Sequence, residues 1–156
     1  MTKKNIISFM FLLSACLFFL NSLKDNHIAM NGEYHASIYI INKKNTSELR
    51  VSAHIEKDDF VTTTYVSSPA LKGIAKFISK GTFMEHDGNG NYIYRYELTQ
   101  VGNVDVIDTH NAEVYLGMVG RSGLPKEEKI KMLYHSNTID IFDTMRGGNI
   151  VMYVKK

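Results

Sequence analysis

The chain has one cysteine, two prolines and no tryptophan among 156 residues. A single thiol cannot close an internal disulfide, so any folded domain must be held by packing and backbone hydrogen bonds. With only Pro69 and Pro125 there is no proline-rich linker, and no stretch is of low complexity. Net charge is also nearly missing. Removing Lys3, Lys4 and Lys24 from the 18 basic residues leaves 15 against 16 acidic ones. A nucleic-acid surface needs a clustered basic excess to displace counterions from phosphates, so no direct nucleic-acid partner is expected.

The usual patterns of catalysis are absent as well. No serine lies in a Gly-x-Ser-x-Gly elbow, and the one cysteine, Cys16, sits in an apolar run. Gly88-x-Gly90 falls between two strand-like runs, where a hairpin turn explains it better than a phosphate loop. Asp140 and Asp143 flank Phe142 and read as carboxylates solvating a hairpin. Glu85-His86-Asp87 and Asp108-Thr109-His110 lack a second ligand cluster at metal-binding spacing. Neither an enzyme nor a metal or cofactor site is expected.

What is present first is a membrane signal. Residues 6–20 are apolar behind Lys3 and Lys4. As a helix they cover roughly 22 Å, or roughly 27 Å if extended to Leu23, against a hydrocarbon core of roughly 30 Å. Three readings compete. The first is a retained anchor over residues 6–23, with residues 1–5 as a cytoplasmic tail and residues 24–156 as a periplasmic β domain. The lysine asymmetry sets that orientation. The second is a lipoprotein signal, since Leu13-Ser14-Ala15-Cys16 matches a lipobox and would make Cys16 the lipidated residue. Against it, Leu17 to Leu20 prolong the apolar run past the cut. The third is a cleaved secretory signal, which lacks an Ala-x-Ala-like site downstream. The unbroken apolarity favours the anchor.

Beyond the anchor the pattern is mainly β. Residues 49–56 alternate apolar and polar without a fault, and residues 34–41 are rich in β-branched and aromatic side chains. Asn42-Lys43-Lys44-Asn45 between them is turn chemistry, which predicts a hairpin. Further strands are expected over 60–67, 82–86, 91–100, 104–107, 113–119, 138–143 and 149–155, with turns at Asp87-Gly88-Asn89-Gly90 and Arg146-Gly147-Gly148. Two short helices are expected. One is an ambiguous stretch at 69–80, where Leu71, Ile74, Ala75 and Ile78 have helical spacing behind Ser68-Pro69. The other follows Pro125-Lys126-Glu127-Glu128 to about Tyr134. The fold class is a small antiparallel barrel or half-barrel of lipocalin-like dimensions behind an N-terminal transmembrane helix, with a sandwich as the alternative.

Three sets of side chains are candidates for function. His35 and His54, on adjacent expected strands, could titrate in an acidified exterior. Tyr92, Tyr94 and Tyr96 share one face and would line either the core or an apolar pocket. Ile150, Met152 and Val154 lie on the last strand, a candidate for pairing with a partner.

A short basic tail, one membrane segment and a β-rich envelope domain ending in Thr138-Ile139-Asp140-Ile141-Phe142 and Gly147-Gly148-Asn149-Ile150-Val151-Met152-Tyr153 resemble the ToxS type of accessory protein. That group includes the VtrC, PsaF and MyfF proteins. The resemblance implies an inner-membrane protein whose envelope domain binds and stabilises a ToxR-like membrane-bound transcription activator. In some members the two domains share a barrel that takes bile salts, and others govern acid-induced fimbriae. It transfers no ligand-contacting residue by position. Two other functions stay open: an envelope lipoprotein binding a small apolar ligand by itself, and an accessory factor in fimbrial assembly.

Overall fold

The structure, a computed structural model, describes residues 30–42, 45–145 and 149–156. The expected anchor at 6–23, with Cys16, lies outside the described residues, as do Lys43, Lys44 and the tripeptide Arg146-Gly147-Gly148 in two expected turns. In chain order the elements are β1 (Gly32–Asn42), β2 (Asn45–Glu56), β3 (Asp59–Ser67), β4 (Leu71–Lys72), β5 (Ile74–His86), β6 (Asn91–Val101), β7 (Asp105–Val106), a 3-10 turn (Thr109–Asn111), α1 (Glu113–Val119), β8 (Pro125–His135), β9 (Ile139–Asp143) and β10 (Ile150–Lys155). Eight strands close an antiparallel barrel in the order β1-β10-β9-β8-β6-β5-β3-β2, so the chain runs up and down around the wall. The sandwich alternative is excluded. Among the described residues no helix is long and apolar enough to cross a membrane.

Period-two alternation builds the wall. Val51, Ala53 and Ile55 of β2 point inward and are buried, while Arg50 and His54 face out. One interior cluster, made of Met30, Tyr34, Ile55, Phe60, Phe83, Tyr92 and Phe142, fills one end of the barrel. A second, of Val66, Ala75, Phe77 and Leu98, fills the other end. There α1 acts as a plug. Tyr115 packs its ring 6.0 Å from Phe77 and accepts a 3.0 Å hydrogen bond from Gln100 Nε2.

Three expectations are overturned, each because tertiary partners overrode a local pattern. Residues 69–80 are not helical. Ser68 does bond the Ala70 amide, but Gly73 sits at φ 123°, outside the helical region, and β5 then runs unbroken to His86. Its inward positions are Ala75 and Phe77, both fully buried, whereas Ile74 is mostly exposed. Residues 125–134 are a strand as well. Pro125 to Lys131 pair residue by residue with β6, and Lys126, Glu128, Ile130 and Met132 take the inner positions. Conversely, the expected strand at 113–119 is helix α1, which buries Tyr115 and packs Val114 and Met118 against the second cluster. The strand expected at 104–107 shrinks to β7, which pairs with β4 in a two-stranded sheet apart from the barrel wall.

Gly81 is the position where the wall tolerates no side chain. A Cβ there would fall onto the Arg95 carbonyl oxygen and within 2.5 Å of Phe60 Cζ. Gly117 in α1 has nothing within 4 Å. Gly81→Ala is therefore expected to cost about 1–3 kcal/mol of stability by overpacking. Gly117→Ala should add about 0.5–1 kcal/mol through helix propensity. Urea unfolding of the two variants checks both signs, and equal shifts would contradict this packing.

Candidate functional site

The inner face of β6 carries the aromatic stripe expected from its alternation. Tyr92 is buried to 2% exposure, and Tyr94 and Tyr96 are partly buried against the same cluster. Tyr94 and Tyr96 stack with ring centroids 5.6 Å apart, and the edge of Phe60 meets Tyr94 at 5.7 Å. Opposite them β8 projects Glu128 into the barrel. Tyr94 donates to Oε2 at 3.1 Å and Tyr96 to Oε1 at 2.6 Å, so one carboxylate receives both hydroxyls. Burial, and next the charge of Glu128, push the Tyr94 hydroxyl far above the ordinary phenol range. Burial alone raises Tyr153 of β10. Tyr94, Tyr96, Tyr153 and Glu128 keep partial exposure, and the wall beside them is incompletely paired among the described residues.

The opening follows from the register. β10 pairs with β9 along its whole length but with β1 only at Tyr34↔Lys155 and His35↔Val154. Residues 36–42 of β1 and 150–153 of β10 have no ladder partner across this seam among the described residues. Among the described residues, 125–130 of β8 likewise pair only with β6, and the β8–β9 ladder begins at Lys131↔Asp143. Lys156 N donates to Glu33 O at 3.0 Å, which fixes the odd-numbered residues of β1 as those whose backbone groups face the seam. Tyr39 and Ile41 are among them, and both side chains are exposed.

A second polar feature lies nearer the end where the chain enters. Asp140 of β9 has no exposed surface. His135 Nδ1 lies 2.7 Å from its Oδ1, and its Oδ2 makes no hydrogen bond. The carboxylate is inside because Asp140 and Phe142 are two apart on one face of β9; the reading of Asp140 as a solvated hairpin group is corrected. Tyr34 is pushed up to about 12 by burial and next by the charge of Asp140, and Tyr92 is raised by the same two causes.

The other sequence candidates are placed differently. His35 and His54 are exposed on the outer faces of β1 and β2; His35 Nδ1 meets Ser52 Oγ at 3.1 Å, and His54 stands across from Glu33 and Val61. The two stand on the same outer face of adjacent strands, diagonal to each other and not directly opposite. Ile150, Met152 and Val154 point out of the barrel, all exposed. Glu128, His135 and Asp140 were missed as a functional set. The missing signal for Glu128 was the two-residue spacing of Lys126, Glu128, Ile130 and Met132, hidden behind an apparent helix start. A groove of about 750 Å³ runs outside the barrel past Met84, His86, Asn91, Lys129 and Met145. Its mixed lining selects no single ligand chemistry. Among the described residues no group of three His, Cys, Asp or Glu side chains could hold a metal ion.

Two measurements test this arrangement. His135→Ala should cost about 1–3 kcal/mol in urea unfolding, because it strands a buried carboxylate. His35→Ala and His54→Ala should each stay within about 0.5 kcal/mol of the parent, as exposed substitutions do. Equal losses at the three positions would contradict the buried pair. The raised phenols act in alkali. Because the folded state holds Tyr34 and its neighbours neutral, their contribution is complete below the unfolded phenol value of about 10 and is lost as pH rises beyond it. The urea midpoint should therefore be flat to about pH 10 and fall as pH climbs through the Tyr34 value of about 12. A midpoint independent of pH in that range would show the phenols to be free. No family model matches the chain, and no curated protein matches it either.

Proposed function

We propose that this protein is a non-catalytic, membrane-anchored regulatory subunit. On this reading residues 6–23 anchor it in the inner membrane and the barrel lies on the periplasmic side. There it stabilises a ToxR-like membrane-bound transcription activator, and an envelope signal, acid or an apolar bile-type ligand, acts by changing that stabilisation. The carrying observation is the seam between β1 and β10, where residues 36–42 have no β10 ladder partner among the described residues and the odd-numbered ones turn their backbone groups to it, beside the exposed side chains of Tyr39 and Ile41. Adding a strand from a partner would satisfy those groups, and a partner that binds only the folded form is stabilised by mass action. Two domains tethered to one membrane need only a modest interface, because tethering raises their effective concentration.

A second reading has its own support in the partly exposed inner layer around Tyr94, Tyr96 and Tyr153. A small, largely apolar ligand would rest against these rings, beside the Glu128 carboxylate that receives two of their hydroxyls. The envelope-lipoprotein alternative would use the same layer without a partner.

Tyr39→Pro separates the two. It removes a seam-facing amide but no bond of the β1–β2 ladder, a place where strands accept proline. The variant is expected to remain folded and at normal abundance while the level of the partner activator and transcription of its target genes both fall. Unchanged partner level with Tyr39→Pro present in normal amount would overturn the regulatory reading.

A further inference from the structure

The outer surface of the β9–β10 hairpin lacks the polar alternation of the rest of the wall. On β2 the outward positions are Glu48, Arg50, Ser52, His54 and Glu56. On the hairpin the inward side chains are Asp140, Phe142, Val151 and Tyr153, and the outward ones, Ile139, Ile141, Ile150, Met152 and Val154, are apolar too, with Asp143 beside Ile150 at the turn end as the one charged exception. The register sets Met152 beside Ile141, Val154 beside Ile139, and Tyr134 of β8 on the other side of Ile141. With Ile150 these form one continuous face, and Ile150 is 64%, Met152 53% and Tyr134 55% exposed. Strands apolar on both faces belong to sheets covered on both sides. A contiguous apolar patch on a soluble surface marks an interaction site.

The nature of the cover follows from where the chain enters. Tyr34 pairs with Lys155 and His35 with Val154, so the start of the barrel lies against the end of the strand that carries the patch. Six residues, 24–29, separate Met30 from the end of the apolar run at Leu23. They reach at most about 20–25 Å. A bilayer entered by residues 6–23 is thus within reach of this face. The ladder groups of these strands lie in the plane of the wall, at the seam and not on this face, and its hydrogen-bonding side chains are limited to Tyr134 and, at the turn end, Asp143. An apolar, non-directional medium suits it. Lys131, across from Asp143, and Lys156, whose Nζ lies 4.0 Å from Glu33 Oε2, stand exposed at its margins, where anionic head groups would compete for them.

We propose that the outer face of β9–β10 rests on the bilayer surface, laying the barrel on its side with the wall of β3 and β5 turned away. This rests on the reading of residues 6–23 as an anchor. The consequence is orientational: the β1 seam is then held beside the membrane, at a fixed height for a partner anchored in the same bilayer.

The test uses the full chain in vesicles of phosphatidylethanolamine and phosphatidylglycerol, with Cys16→Ser as background. An environment-sensitive fluorophore is attached at Met152→Cys in one sample and at Val61→Cys in another. Val61 is exposed on β3, on the far wall. Lipids brominated along the acyl chain are expected to quench the Met152 position severalfold more than the Val61 position. Equal quenching, with the chain retained through an alkaline carbonate wash, overturns the docking and leaves the anchor standing. Loss of the chain in that wash overturns the anchor and the docking together. Disulfide-linked dimers forming readily through unlabelled Met152→Cys would assign the face to a second copy of the chain and overturn the docking as well.

Discussion

The closure between the first and last strands is the contact on which the rest of this structure depends. An open eight-stranded sheet would leave two edges of unpaired amides and carbonyls, and the meander of β2, β3, β5, β6, β8 and β9 would have no reason to curl. Here closure is made by two residue pairs, Tyr34↔Lys155 and His35↔Val154, reinforced by the bond from Lys156 N to Glu33 O. Around that point the interior is well packed: Met30, Tyr34 and Phe142 all belong to the cluster at this end. Away from it the strands diverge. The same chain therefore has a closed, well-packed end and an open flank, and the functional reading lives on the flank.

The interior is more polar than a barrel built only for stability would be. Glu128 is inside and receives two tyrosine hydroxyls, and Asp140 is wholly buried with one oxygen bonded to His135. Burying carboxylates costs free energy that aliphatic side chains would avoid, and such groups are tolerated where hydrogen bonds compensate. Tyr94 and Tyr96 pack as rings and donate as phenols, so one aromatic stripe serves both the core and the carboxylate.

Much of the wall could be read along the chain. The faultless alternation at 49–56, the turn at Asp87-Gly88-Asn89-Gly90 and the stripe Tyr92, Tyr94, Tyr96, Leu98 each reflect interactions within a few residues. The turn is bonded by its own Asp87, whose carboxylate accepts from the amides of Asn89 and Asn91. The candidate site was only half legible. The tyrosines were on the expected face, but the carboxylate they bond lies 32 residues from Tyr96 along the chain. No local pattern pairs them.

The amino-acid sequence by itself determined a mainly β domain with no disulfide, a nearly neutral charge and an aromatic inner face, because strand alternation and turn chemistry act locally. The tertiary structure alone decided that Pro125 begins a strand, that 113–119 is a helical plug, and that Asp140 is buried. It also decided where the wall splays. Each depends on a neighbour distant in the chain: β6 for β8, Phe77 and Gln100 for α1, Tyr34 for the setting of Asp140. Short segments with mixed periods take the structure their partners can complete, and those partners exist only once the barrel has formed.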